Sequence, residues 1–189
     1  MIRKRRAAVL IFCLATAAAA AVQSLSPLSP ADGRRMESAL ERMAKSGPRS
    51  GPLQRLDFTE NELNAYIALR IARSKEDILR DLRFKVYEEN RLEGWMDLDF
   101  SAHRIPSWIK KRMSLYFEGT VTVRDGRARF DFRKIFLEKE AVPVMLLDMI
   151  IFVASELGKT DAKGVTDWHD LPYGIKDILT SKGRFALLY

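Results

Sequence analysis

Between Leu82 and Leu137 the chain alternates apolar and polar residues with a period of two, and no other stretch constrains its fold as strongly. Successive side chains of a strand point to opposite faces, so this pattern describes strands with one buried and one wet face. Leu82, Phe84 and Val86 alternate with Arg83, Lys85 and Tyr87. After a turn at Glu89-Asn90, Leu92, Met96, Leu98 and Phe100 alternate with Glu93, Trp95, Asp97 and Asp99. A second hairpin follows: Leu115, Phe117, Val121 and Val123 alternate with Tyr116, Glu118, Thr120 and Thr122 up to Asp125-Gly126, a pair suited to a type I′ turn. On the return strand Ala128, Phe130 and Phe132 share one parity and Ile135 and Leu137 the other. That slip of phase near Arg133-Lys134 predicts a β-bulge.

Helical signals flank the hairpins. Thr59-Glu60-Asn61-Glu62 is a capping box, in which the threonine hydroxyl and the Glu62 carboxylate satisfy each other's free amides, so a helix should begin there. Leu63, Tyr66, Ile67 and Ile71 then mark one buried face, with Arg70 and Arg73 suiting the negative end of the helix dipole. From Val142 to Leu157 the chain is apolar nearly all round, Asp148 excepted, with Gly158 placed to end a helix. About 16 residues fall short of a bilayer span, which favours a helix covered on most sides by sheet. Strand signals from Ile175 to Thr180 and Arg184 to Tyr189, around a Ser181-Lys182-Gly183 turn, complete an α+β domain of at least six strands, mostly antiparallel.

The N-terminal end reads differently. Arg3-Lys4-Arg5-Arg6 precedes an uncharged apolar run from Ala7 to about Val22, and Ala19-Ala20-Ala21 offers a small-residue cleavage site, the pattern of a secretory signal peptide over residues 1–21. Cys13, the only cysteine, lies inside that run behind Ile11-Phe12, a poor setting for lipid attachment. Cleavage leaves 168 residues without a thiol, so disulfides and thiolate chemistry are excluded from the mature chain. The leader also carries four of the 32 basic residues, and the formal charge falls from +7 to +3, which argues against a nucleic-acid partner. Residues 22–54 contain one thin helical stripe, Met36, Leu40 and Met43, then the breaker-rich Ser46 to Pro52, and read as a peripheral helix and linker ahead of one domain at 55–189.

Residues that carry chemistry are sparse. His103 and His169 are the only imidazoles, and neither has the spacing of a metal site or triad; no catalytic residue, metal or cofactor is implied. Asp161, Asp167, His169 and Asp170 share a loop that reads as solvated. Asp97 and Asp99 project from one strand face, alternating with apolar residues in a way that places them in water. The connection between the hairpins sets Trp108 and Ile109 beside Lys110, Lys111 and Arg112, a mixture that can rest on an anionic lipid surface. The competing reading of that stretch is a short amphipathic helix with Trp108 tucked into the core.

The segment Phe58-Thr59-Glu60-Asn61-Glu62-Leu63-Asn64-Ala65-Tyr66-Ile67 resembles the Thr-Glu-x-Glu-Leu-Asn-x-Tyr-Leu stretch of small bacterial envelope proteins of the tubular lipid-binding type. Leu171-Pro172-Tyr173-Gly174-Ile175, with Gly183, Phe185 and Leu187, is similar to the lead into their last strands. The resemblance spans roughly residues 55–189. It implies a curved, mostly antiparallel sheet of about six strands wrapped on an apolar helix, and a groove for lipid between them. On this expectation Leu82, Phe84, Met96, Leu98, Phe100, Leu115, Phe117, Phe130 and Phe132 face Leu146, Ile150 and Val153 across an apolar ligand. The protein would be exported to the periplasm or beyond, non-enzymatic, in peripheral contact with anionic membrane, and would bind or shuttle a lipid or other apolar small molecule. The rival expectation is an envelope interaction module with a solid core.

Overall fold

The first two helices begin where the sequence meets the needs of their free amides. The computed structural model describes residues 28–46, 52–74, 77–158 and 164–189. The signal peptide, Cys13 and Asp161 lie outside them. Helix α1 (Pro30–Ser46) opens on a proline, which has no amide to satisfy, and the Ser29 carbonyl accepts from Asp32 and Gly33. Strand β1 (Arg55–Thr59) runs directly into α2 (Glu60–Arg73), where the expected capping box is formed: the Glu62 amide donates to Thr59 Oγ1 at 3.2 Å and the Thr59 amide to Glu62 Oε2 at 2.8 Å.

The hairpins are β2 (Leu79–Val86) with β3 (Arg91–Asp99), and β4 (Arg112–Arg124) with β5 (Arg127–Leu137). Their turns have the positive φ angles of type I′, at Glu89 and Asn90 in one and at Asp125 and Gly126 in the other. The bulge lies where the phase slips. Glu118 pairs with Lys134 and Gly119 with Phe132, which leaves Arg133 as the extra residue and turns Phe130, Phe132, Ile135 and Leu137 to the same side. With β6 (Glu140–Ala141), and with β7 (His169–Asp170) paired to β5, these strands make a six-stranded antiparallel sheet curled into a half-barrel. Helix α3 (Val144–Gly158) lies on its inner side. A separate three-stranded sheet has the order β1-β9-β8, from β8 (Asp177–Ser181) and β9 (Arg184–Leu188).

Among the described residues two apolar cores result. One joins the inner face of the half-barrel to Leu147 and Ile150 of α3; the other joins α1, α2 and the small sheet, where Phe58 stacks on its register partner Phe185 at 5.4 Å. The β2–β3 hairpin serves both, since Leu82, Phe84 and Met96 belong to the first and Val86 and Leu92 to the second.

Two expectations need correction here. Residues 30–46 are not peripheral: Met36, Ala39, Leu40 and Met43 are buried, and Arg35 pairs with Glu62 of α2. The stripe looks thin because small residues make the contact. A Cβ on Gly33 would lie 2.7 Å from the Ala65 carbonyl oxygen, so only glycine lets α1 settle this closely on α2. Nor is α3 covered on most sides, because Met145, Met149 and Phe152 are 66, 43 and 56% exposed.

Candidate functional site: the inner face of the half-barrel and its rim

Every residue expected to line the groove belongs to the first core. Leu98, Phe100, Leu115, Phe117 and Ile150 are closed to solvent, whereas Leu82, Phe84, Met96, Phe130, Phe132, Leu146 and Val153 are only partly buried. Phe117 is the centre of this face. Its ring meets those of Phe84 at 5.9 Å, Phe130 at 5.6 Å and Phe132 at 5.8 Å, all edge-on, the arrangement the aromatic quadrupole prefers. Directly opposite in register is Gly94, over which the Phe117 ring lies; a Cβ there would come within 2.1 Å of Cζ. The gap at Gly94 in the period-two pattern thus seats an aromatic ring from the neighbouring strand.

One end of this sheet's edge, at Phe84 and Val86, is sealed largely by the segment that carries the N-terminal resemblance. Strand β2 is an outer strand, and its free groups would otherwise invite another chain. Asn64, 3% exposed, takes both groups of one residue: its Oδ1 accepts from the Phe84 amide at 2.8 Å and its Nδ2 donates to the Phe84 carbonyl at 2.8 Å. The Val86 amide donates to Glu60 Oε2 at 2.8 Å, and the Val86 carbonyl accepts from Gly183 at 2.9 Å. At the tip of the hairpin, Asn90 and Thr180 exchange side chain-to-backbone hydrogen bonds of 2.7 and 3.0 Å. Sequence reasoning missed this seal. Its one local trace was an asparagine at a helix position adjoining Leu63 and Tyr66.

The loop between β3 and β4 departs from expectation. It forms no helix, and the two apolar neighbours expected together at a membrane surface part company: Ile109 is buried at 5% exposure, while Trp108, which the amphipathic-helix reading put in the core, stands half exposed. Ile109 is therefore a core residue and not a membrane contact. Trp108 instead faces Met145, Asp148, Met149, Phe152 and Val153 across an open groove of about 340 Å³ on α3. Lys110, Lys111 and Arg112 are exposed beside it, with Arg112 Nε 3.2 Å from Asp99 Oδ2. The base of the loop is tied by His103, whose Nε2 lies 2.7 Å from Asp77 Oδ1 and whose hydrogen bond holds the Asp77 carboxyl below its usual range.

Of the remaining polar candidates, Asp97, Asp99, Asp167 and His169 are engaged in structure, while Asp170 is exposed. Asp97 accepts from the Ser114 hydroxyl at 2.6 Å, and Asp99 from the Ser101 amide at 2.9 Å. Asp167 accepts from the Gly164 amide, and His169 Nε2 lies 3.1 Å from the Gly164 carbonyl. On the outer, convex face Trp95, Tyr116 and Phe136 sit in register and form a row with ring centroids 5.3 and 6.0 Å apart. Burial and a hydrogen bond with Glu93 push the Tyr87 hydroxyl up to about 12, and the Arg91 guanidinium lies 3.8 Å from that ring. Among the described residues no helix is long and apolar enough to cross a membrane. Comparison with protein-family models, with curated proteins and with solved structures finds no match for the chain.

Proposed function

We propose that this chain is an exported, non-enzymatic protein that binds or shuttles a lipid or other apolar molecule between the half-barrel and α3. One observation carries the reading: Leu82, Phe84, Met96, Phe130 and Phe132 point to the inner side of the sheet, the side on which α3 lies, yet stay only partly buried. A protein with no ligand to hold gains by closing such a face, since each buried methylene is worth about 0.8 kcal/mol. The same figure gives about 8 kcal/mol for ten methylenes of an acyl chain, before the cost of association is deducted, so burial alone supports useful affinity. Native mass spectrometry on protein taken from an envelope fraction tests it. The expected result is a mass increment released by organic extraction; a clean apo mass with no extractable lipid refutes the proposal.

A second reading has its own support in the convex aromatic row of Trp95, Tyr116 and Phe136, which lies on the face away from the helix and suits a protein partner. Trp95→Ala decides that point. It should abolish cross-linking to an envelope partner while leaving the lipid content intact, and undiminished cross-linking removes the row from consideration.

A further inference from the structure

Helix α3 has two apolar faces, and only one belongs to the core. Leu147 and Ile150 are seated against the sheet, while Met145, Met149 and Phe152, spaced by four and three, form a stripe on the opposite side. Trp108 reaches this stripe from the β3–β4 loop and extends it. Isolated exposed apolar residues are ordinary; large ones gathered on one side of a helix, joined by a tryptophan, mark a contact surface.

We infer that this face docks the protein on an anionic bilayer, with Trp108, Met145, Met149 and Phe152 entering the interface and Lys110 and Lys111 meeting the headgroups. The inference deepens the carrier reading, and rests on it for the source of the ligand: the helix that touches the bilayer is also the wall of the groove. Charge selects the occupant. Lys110 and Lys111 follow Trp108 at two and three residues, are exposed, and form no ion pair among the described residues. Asp148, the acid beside Trp108 on the outward side of α3, has Oδ1 engaged by the Val165 amide at 2.8 Å, and Glu156 lies a turn beyond Phe152. A second copy fits less well, because a two-fold contact across this face would bring the lysines of both copies together. A tryptophan at an apolar margin with lysines just beyond it is the order in which a bilayer interface is met, acyl region first and phosphates next.

The experiment uses the full chain carrying Trp95→Phe and Trp168→Phe, which leaves Trp108 as the sole tryptophan. Vesicles of phosphatidylcholine, alone or mixed with phosphatidylglycerol, are titrated in. Trp108 emission should shift to the blue and be quenched by brominated acyl chains on the anionic vesicles only. Lys110→Glu with Lys111→Glu should weaken that response by at least roughly ten-fold, and Phe152→Ser should reduce it with the circular dichroism unchanged. An equal response to neutral vesicles, or one unmoved by the lysine changes, overturns the inference and assigns vesicle binding to another part of the chain. A blue shift that grows with protein concentration in vesicle-free buffer overturns it in favour of a second copy. The carrier reading fails separately: protein that carries extractable lipid but never responds to vesicles loses the docking face alone, and protein that docks but carries nothing loses the groove.

Discussion

Asn64→Ala tests the seal on strand β2. The substitution removes the acceptor for the Phe84 amide and the donor for the Phe84 carbonyl, both held at 2.8 Å by a side chain that is 3% exposed. Each group left unpaired in a buried setting costs about 1–3 kcal/mol. The partial exposure of Phe84 lets some water reach the strand and points to the lower part of that range. Alanine also restores about 0.5 kcal/mol of helix propensity. The net loss should be about 2–3 kcal/mol, which for a domain of this size lowers the melting temperature by roughly 4–12 °C. Urea titration followed by circular dichroism should show a lower midpoint with an unchanged slope, and hydrogen exchange should accelerate at the Phe84 and Val86 amides while the β4–β5 ladder keeps its protection. A loss under about 0.5 kcal/mol, or unaltered exchange at Phe84, would refute the argument that Asn64 closes this edge.

Three further outcomes are expected. Gly94→Ala drives a methyl into the Phe117 ring, which Phe84, Phe130 and Phe132 hem in, and should cost about 1–3 kcal/mol by urea titration; a negligible cost would mean the ring can swing away into free space. Gly33→Leu must push α1 off Ala65 and should lower the melting temperature despite leucine's better helix propensity, whereas an unchanged or higher value would show that α1 adjusts freely. Tyr87 has its folded pKa raised from 10.0 to about 12, so the unfolded chain ionises first as pH climbs. Its contribution is intact below pH 10 and lost as pH rises towards about 12; Tyr87→Phe should flatten the fall in urea midpoint across that window, and parallel profiles for the two proteins would exclude the effect.

What could be read from residue order and what could not divide along the range of the interactions. Both hairpins, their turns and the bulge at Arg133 were legible because period two and the phase slip between Phe132 and Ile135 are local properties of a strand. The capping box at Thr59 was legible for the same reason. The expected lining residues came together because alternation sorts them onto one face before any tertiary fact is known. The role of Asn64 was not legible, since it depends on a strand edge 20 residues away. Trp108 and Ile109 are adjacent and both apolar, so periodicity had no means to say which of them points inward. A helix apolar all round has no preferred face, and the outward stripe on α3 was hidden by the very abundance that identified the helix. At α1 the signal failed in the other direction, because Gly33 and Ala39 make contact through their smallness and add nothing to an apolar stripe.

The small sheet imposes a schedule on synthesis. Arg55 of β1 lies opposite Leu188 of β9, which follows it by 133 residues, and β8 too is paired with β9. At translation rates of about 5–20 residues per second, β1 waits some 7–27 s for its partner. Throughout that interval α1, α2 and Phe58 have no completed surface to settle on, and pairings this remote in sequence form slowly even once both strands exist. The chain therefore passes a long interval without one of its cores, held in that time by the contacts of its first core alone.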